Sequence, residues 1–303
     1  MHYDLITILG PTASGKTAIA VQLAQDFNGE IISADSRQVY KGMDIGTGKD
    51  LDEYIKFNIK YHLIDIIDPM EEYNLFWFTR DFHSAFQKIN RAKRIPILTG
   101  GTGLYLSAIL QSYHLPEIEN TNNDDLNLLT INELRKILVD LKPKQHNITD
   151  LKSKARIIQA ILIERSPKIF QYESPKLNSL TIGIKLSRDE IKNRITKRLK
   201  QRLSYGMIDE VKDLKQKGLS KAKLDYFGLE YKFVGQYIDG QINYNDMFQK
   251  LNSAIHNFAK RQMTWFRKME REGVEINWFS PENYSEIKRF VQSQLHDARK
   301  SSK

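Results

Sequence analysis

The sequence predicts an α/β fold in which a parallel sheet is flanked by helices, and two observations support this prediction. Short apolar runs alternate with helical patterns through the first part of the chain, as they do when crossover helices connect parallel strands. The first apolar run leads directly into a glycine-rich loop that opens a helix. With 303 residues and 41% hydrophobic content, the chain can bury a sizeable core around such a sheet.

Each element follows from a local pattern. Apolar runs of strand length, bounded by turn residues, predict strands at His2–Leu9, Glu30–Ser33, Tyr61–Ile67, Ile95–Thr99 and Ser179–Leu186. Apolar residues at helical spacing predict helices at Thr17–Phe27, Phe76–Arg91, Leu104–Gln111, Asn132–Leu141, Leu151–Glu164, Asp189–Leu203, Ile208–Gln216, Glu230–Tyr237, Tyr244–Arg271 and Glu282–Gln294.

The order of these elements predicts a core with one insertion. Residues 1–112 and 151–303 form the sheet-containing core and a basic, helical C-terminal part, and residues 113–150 form a small helical insertion. Within the insertion, the polar stretch Pro116–Asp125 predicts an exposed loop.

The glycine-rich loop is the most specific motif. It matches the phosphate-loop pattern G-x-x-x-x-G-K-[ST] at every fixed position, and its residues are Gly10, Pro11, Thr12, Ala13, Ser14, Gly15, Lys16 and Thr17. Backbone N–H groups and the positive end of the following helix favour a phosphate there. Lys16 adds a positive charge, and Thr17 offers a hydroxyl to Mg²⁺. The motif therefore predicts a P-loop NTPase-like core that binds a phosphate or diphosphate with Mg²⁺ as cofactor.

Two further loops are expected to face the same crevice, because the carboxyl ends of parallel strands meet at one edge of the sheet. Asp35 follows the second strand, where its carboxylate can bind a metal, accept a proton or cap the next helix. The neighbouring Ser36, Arg37 and Gln38 suit contacts with a nucleotide. Gly100–Gly103 follows the fourth strand and predicts either a tight connection or a ligand-facing turn containing Thr102.

Composition and charge exclude some classes of protein. The chain has no cysteine, so disulfides, cysteine-ligated zinc, iron–sulfur clusters and thiol catalysis are excluded. No apolar run approaches the roughly 20 residues that span a bilayer. A cleaved leader would remove the phosphate loop, so we expect a cytoplasmic protein. The net charge of +9 favours polyanionic partners, and its excess lies mainly in Arg188–Arg202 and Lys250–Arg271.

Several of these blocks together resemble the tRNA dimethylallyltransferases, also called tRNA isopentenyltransferases. The similar blocks occur in the family's order and are Gly10–Thr17, Ala34–Tyr40, Gly42–Thr47, His62–Asp65, Gly100–Tyr105 and Ala259–Arg267. One block departs from the family, which usually has Gly-Thr-Ala-Lys-Pro where this chain has Gly-Thr-Gly-Lys-Asp at residues 46–50.

The resemblance implies that dimethylallyl diphosphate alkylates the exocyclic N6 amine of the tRNA adenosine just 3′ of the anticodon. It implies that the phosphate loop binds the diphosphate with Mg²⁺ at Thr17, and that Lys16, Asp35 and Thr102 are catalytic, with Asp35 as general base. The tRNA-contacting residues that it implies are Asp35, Ser36, Arg37, Gln38, Gly101, Thr102, Lys154, Arg156, Arg198, Arg202, Lys260, Arg261 and Gln262. The expected partner is the tRNA anticodon stem-loop, and we expect the protein to be a monomer without membrane attachment.

Two alternative functions remain open from the residues alone. A small-molecule or nucleotide kinase would also have the phosphate loop, but it would not explain the basic C-terminal half. A prenyltransferase that acts on free adenine nucleotides would use the same crevice without the basic surface.

Overall fold

The computed structural model describes residues 3–113, 115–116, 124–141, 154–165, 171–172 and 175–300. The chain divides into two compact units. The first comprises Met1–Ser112 and Lys176–Lys303, and the second comprises Tyr113–Pro175. The insertion had been expected to end at residue 150, whereas the second unit extends to Pro175 and includes the helix near residue 160.

The strands are β1 (Leu5–Leu9), β2 (Gly29–Ala34), β3 (Tyr61–His62), β4 (Ile95–Gly100), β5 (Leu115–Pro116), β6 (Gln171–Tyr172), β7 (Ser179–Ile184) and β8 (Asn277–Phe279). Six of them form a fully parallel sheet in the order β3-β2-β4-β1-β7-β8. The predicted parallel sheet is therefore confirmed, and β8 is a strand that the sequence analysis did not predict.

The third strand is shorter than the predicted Tyr61–Ile67. It ends at His62 because the backbone then takes positive φ angles, +62° at Leu63 and +55° at Asp65, which a strand cannot accommodate. Ile67 pairs with Tyr40 only through an isolated bridge.

The helices of the first unit are α1 (Lys16–Asp26), α2 (Leu51–Lys56), α3 (Leu75–Arg91), α4 (Gly103–Leu110), α8 (Arg188–Ser204), α9 (Met207–Gln216), α10 (Lys221–Phe227), α11 (Leu229–Ile238), α12 (Tyr244–Arg271) and α13 (Tyr284–Lys300). Those of the second unit are α5 (Asp124–Leu128), α6 (Ile131–Leu141) and α7 (Lys154–Arg165). The sequence analysis did not predict α2, α5 and α10.

Helices cover both faces of the sheet, because successive strand residues point to opposite sides. Leu5 and Leu9 of β1 belong to the apolar cluster that contains residues of α3, α4, α8 and α12. Ile6 and Ile8 of the same strand belong to a second cluster, which contains residues of α1 and α13. This alternation explains why β1 is buried along its whole length.

The second unit has an apolar cluster of its own, in which Leu134 and Leu138 of α6 meet Ile157 and Ile161 of α7. Most of the predicted loop Pro116–Asp125 lies outside the described residues, and its last two residues begin α5. The predicted start of α7 at residues 151–153 also lies outside them. Across the parts of both units that are described, no helix is long and apolar enough to cross a membrane.

Candidate active site

The phosphate loop connects β1 to α1 and has a tightly turned backbone. Gly15 precedes α1 with φ +88°, a left-handed conformation that glycine adopts at little cost, and Ala13 has φ +62°. The Ser14 N–H donates to the Pro11 carbonyl over 3.2 Å. A Cβ at Gly10 would lie only 2.7 Å from the Ile184 carbonyl oxygen, so a side chain cannot fit there. The tight turn brings the loop backbone to the start of α1, a position that favours a bound anion.

Gln262 of α12 holds this loop in place through hydrogen bonds. Its Oε1 accepts from the Thr12 N–H over 2.8 Å, and its Nε2 donates to the Gly101 carbonyl, also over 2.8 Å. The side chain is only 6% exposed. Gln262, which the resemblance assigned to tRNA contact, thus connects the phosphate loop to the turn after β4.

The glycines of that turn are explained by the close approach of α12. A Cβ at Gly101 would clash with Gln262, and a Cβ at Gly103 would clash with the Trp265 ring. The Trp265 indole N–H donates to Ser107 Oγ over 2.8 Å, which fixes the ring against α4. Both glycines therefore allow the tight connection that the sequence left open.

Asp35 and Thr102 lie at the carboxyl ends of the neighbouring strands β2 and β4. Asp35 Oδ1 accepts from the Arg37 N–H over 3.0 Å and so caps a turn, since the next helix begins only at Leu51. Thr102 Oγ1 accepts from the Ser36 N–H over 3.1 Å. The carboxylate and the hydroxyl that were predicted to face one crevice are thus joined through a single turn.

Arg37 and Gln38 are held by contacts within the protein. The Arg37 guanidinium donates to Glu230 over 3.2 Å and lies over the Phe258 ring, 5.4 Å from its centroid. The Gln38 amide accepts from Ser33 Oγ over 2.8 Å and donates to the Gly48 carbonyl over 3.0 Å. Gln38 therefore connects the β2 loop to the segment around Gly48, and Arg37 is positioned by an ion pair.

Positive charge is concentrated beside the phosphate loop. Burial lowers the pKa of Lys16 to about 8, although Asp35 raises it in part. Burial, together with the neighbouring charge of Arg202, lowers the pKa of Arg198 to about 10. Arg198 also donates to Thr12 Oγ1. Such shifts arise where cations are crowded away from water, and a bound anion would relieve them.

The segment around residues 44–46 is fixed by a distant carboxylate that the sequence analysis did not single out. Glu210 of α9 accepts from the backbone N–H groups of Asp44, Ile45 and Gly46 over 2.8, 2.6 and 3.0 Å. The Tyr231 hydroxyl donates to the same carboxylate over 2.8 Å. No local pattern could reveal this anchor, because Glu210 lies far from residues 44–46 in the chain.

Lys49 in the same segment is fully buried, and its charge is paired with carboxylates. Its ammonium donates to the Tyr40 carbonyl over 2.8 Å and forms ion pairs with Asp44, at 2.5 Å, and with Asp65. A buried charge is tolerated only with such partners. Lys49 therefore serves to hold the segment, and Asp65 is engaged there.

Four more of the predicted contacts for tRNA lie on two helices, α12 and α7. Lys260 and Arg261 are exposed on α12, and the Arg261 guanidinium lies 5.8 Å from the centroid of Phe258. Lys154 donates to the Asn127 carbonyl over 2.7 Å in the second unit. Arg156 belongs to α7, but its side chain lies outside the described residues.

The donor set of the loop fits Mg²⁺ held chiefly by a ligand's phosphate oxygens. In the described part of the chain, no group of three or more His, Cys, Asp or Glu residues could hold a metal ion. Thr17 instead offers one hydroxyl at the start of α1, and Ser14 Oγ is buried without a hydrogen-bond partner among the described residues. Mg²⁺ commonly binds proteins through one or two side chains, with phosphates and water completing its shell.

Comparison with known proteins places this chain in a family. A family model described as IPP transferase matches residues 38–269, and one described as isopentenyl transferase matches residues 3–67. The chain is 52% identical to tRNA dimethylallyltransferase 2 of Trichlorobacter lovleyi, with 91% of each chain covered. It is 47% identical to tRNA dimethylallyltransferase 1 of Syntrophus aciditrophicus, with 97% of this chain and 99% of the relative covered.

A solved structure agrees with these matches. The full-length tRNA isopentenylpyrophosphate transferase of Bacillus halodurans has a TM-score of 0.73 and 32% sequence identity, with 98% of both chains covered. Its likeness therefore extends over the sheet, the helical C-terminal part and the insertion. The matched family models, the relatives and the solved structure together show that the chain belongs to the IPP transferase family of tRNA dimethylallyltransferases.

Proposed function

We propose that this chain transfers a dimethylallyl group from dimethylallyl diphosphate to the N6 amine of the tRNA adenosine just 3′ of the anticodon. Membership of the family makes the chain a transferase that delivers a dimethylallyl group to tRNA. The observation that supports the finer proposal is the convergence of an anion-binding loop with Asp35 and Thr102 at one end of the sheet.

The phosphate loop and its cations bind the donor's diphosphate. Backbone N–H groups at the start of α1, Lys16 and Arg198 oppose the negative charge that builds up on the leaving group. Arg198, assigned by the resemblance to tRNA, is proposed here as a diphosphate ligand because it lies against Thr12. Mg²⁺ beside Thr17 would supply further charge to the diphosphate oxygens.

Asp35 receives the proton that the amine loses. The N6 nitrogen attacks C1 of the dimethylallyl group, the C1–O bond breaks, and its electron pair leaves on diphosphate. One Asp35 oxygen is held by the Arg37 N–H, which leaves the other to accept the N6 proton. Thr102 orients the amine beside this carboxylate. Because adenine N6 is a weak nucleophile, alignment contributes as much as basicity.

The basic helices hold the RNA outside the crevice. Lys260 and Arg261 are exposed on α12, where they can pair with backbone phosphates. The adenine must leave the base stack to reach Asp35. Ser36 and Arg37 are in the turn directly after Asp35, where they would contact the extruded nucleotide. We propose that a single chain suffices, so that the enzyme acts as a monomer bound to one anticodon stem-loop.

The test is incubation of the protein with dimethylallyl diphosphate, Mg²⁺ and an unmodified anticodon stem-loop, followed by mass analysis of the nucleosides. We expect one dimethylallyl group on the adenosine 3′ of the anticodon and none when guanosine replaces it. A parallel arm with free AMP tests the nucleotide prenyltransferase, and an arm with ATP and no RNA tests the kinase. An unmodified RNA in a folded preparation would contradict the proposal.

A further inference from the structure

Arg202 occupies space that exists only because residue 48 is glycine. A Cβ built on Gly48 would overlap Nη2 of Arg202 and lie 2.6 Å from its Cζ. Gly48 also has φ +65°, a conformation that other residues adopt with strain. The backbone of Gly48 thus forms the surface against which the Arg202 guanidinium lies.

The guanidinium has an unused donor. Nη2 of Arg202 is buried and has no hydrogen-bond partner within the described ranges. A buried donor on a cation is costly to leave unpaired, and such an atom in a native structure calls for an explanation, of which an acceptor from outside the chain is one.

The same guanidinium lies close to the cations of the phosphate loop. Arg202 follows Arg198 by one turn of α8, and its charge lowers the pKa of both Arg198 and Lys16. The carboxylates of Asp35 and Asp50 raise the pKa of Lys16 and of Arg198 only in part, since both pKa values stay below the usual ones. Three cations, Lys16, Arg198 and Arg202, therefore lie near one another at the phosphate loop.

We propose that Arg202, positioned by Gly48, is an additional ligand of the donor's diphosphate and donates from Nη2 to one of its phosphate oxygens. This inference rests on the proposed function, in which the phosphate loop holds an allylic diphosphate. Arginine suits the role because its planar fork keeps its charge at every working pH and matches phosphate oxygens. Gly48 then acts by leaving the guanidinium its space, and Arg202 acts by charge and hydrogen bonding.

The experiment compares Arg202→Met and Gly48→Ala with the control Gly42→Ala. Gly42 has nearly the same backbone angle, φ +69°, but no heavy atom lies within 4 Å of a Cβ built there. The control thus carries the backbone strain of the Gly48 variant without displacing Arg202. For each folded variant, titration calorimetry measures the affinity for inorganic diphosphate with Mg²⁺, and filter binding measures the affinity for the stem-loop.

We expect Arg202→Met and Gly48→Ala each to weaken diphosphate binding by about tenfold or more, the size expected for a charge-assisted hydrogen bond. Their double variant should be no weaker than either single one, and Gly42→Ala should bind like the parent. Stem-loop affinity should not change. Unchanged diphosphate affinity in Arg202→Met would overturn the proposal, and so would a loss confined to stem-loop affinity.

Failure of the proposed function gives a different result. If the parent protein binds diphosphate but leaves the RNA unmodified, the proposed reaction is wrong. The diphosphate titrations need no RNA, and they would still decide whether Arg202 is an anion ligand.

Discussion

Replacing Gln262 by methionine should damage the phosphate loop and leave the RNA-binding surface intact. Methionine keeps the unbranched shape of glutamine but removes both of its hydrogen bonds. One goes to the Thr12 N–H and the other to the Gly101 carbonyl, each over 2.8 Å. The resemblance assigned Gln262 to tRNA contact, so this variant separates the two interpretations.

The size of the effect follows from the two groups left without partners. Each buried backbone group that loses its hydrogen bond costs about 1–3 kcal/mol. Thr12 is only partly buried, which lowers the cost at its N–H, whereas Gln262 itself is 6% exposed. We therefore expect a loss of about 2–4 kcal/mol in the free energy of unfolding, within the lower part of the summed range.

Chemical denaturation measures this loss, and calorimetry with inorganic diphosphate measures the damage to the loop. Gln262→Glu is the sharper second variant, because it keeps the acceptor for Thr12 but turns an oxygen towards the Gly101 carbonyl. The neighbouring Arg261→Ala is the control, since Arg261 is exposed. A Gln262→Met protein with unchanged stability and diphosphate affinity but weakened tRNA binding would refute the reasoning.

Three further predictions follow from the site. Asp35→Asn should lower kcat by about 10²–10⁴-fold, because the amide cannot take the N6 proton, while stem-loop affinity in filter binding stays unchanged. Lys260→Ala with Arg261→Ala should weaken stem-loop binding and flatten its dependence on salt, measured over a salt titration. Since burial lowers the pKa of Lys16 to about 8, Lys16 loses its charge as the pH rises through that value, and donor affinity should fall there. Lys16→Arg keeps the charge and should remove the decline, which KM for the donor against pH would show.

The parts of the site that the sequence predicted depend on contiguous residues. Gly10–Thr17 carries its conformation within eight positions, because each glycine and the lysine have local reasons to be there. The placement of Asp35 and Thr102 needed only the rule that parallel strands end at one edge. The loops after β1, β2 and β4 lie at one edge as expected, because these three strands are neighbours in the parallel sheet.

The parts that the sequence did not predict depend on residues far apart in the chain. Gln262 had a usable signal, since it falls in the buried stripe of α12 with Ala259 and Phe266. A polar residue in such a stripe needs a buried partner, which favours a structural role over contact with tRNA. Glu210 had no such signal, because nothing near it in sequence indicates that its carboxylate caps a loop.

Through Glu210, helix α9 affects the position of Asp35 indirectly, by way of the segment around residues 44–48. The carboxylate binds the N–H groups of residues 44–46, which lie outside regular secondary structure and would otherwise lack partners. The segment fixed in this way presents the Gly48 carbonyl to the Gln38 amide. Gln38 lies in the turn that Asp35 caps, so the orientation of the carboxylate proposed as the base depends on this chain of contacts. Because each contact is a hydrogen bond to backbone, we expect the arrangement to tolerate changes in neighbouring side chains but not the loss of Glu210.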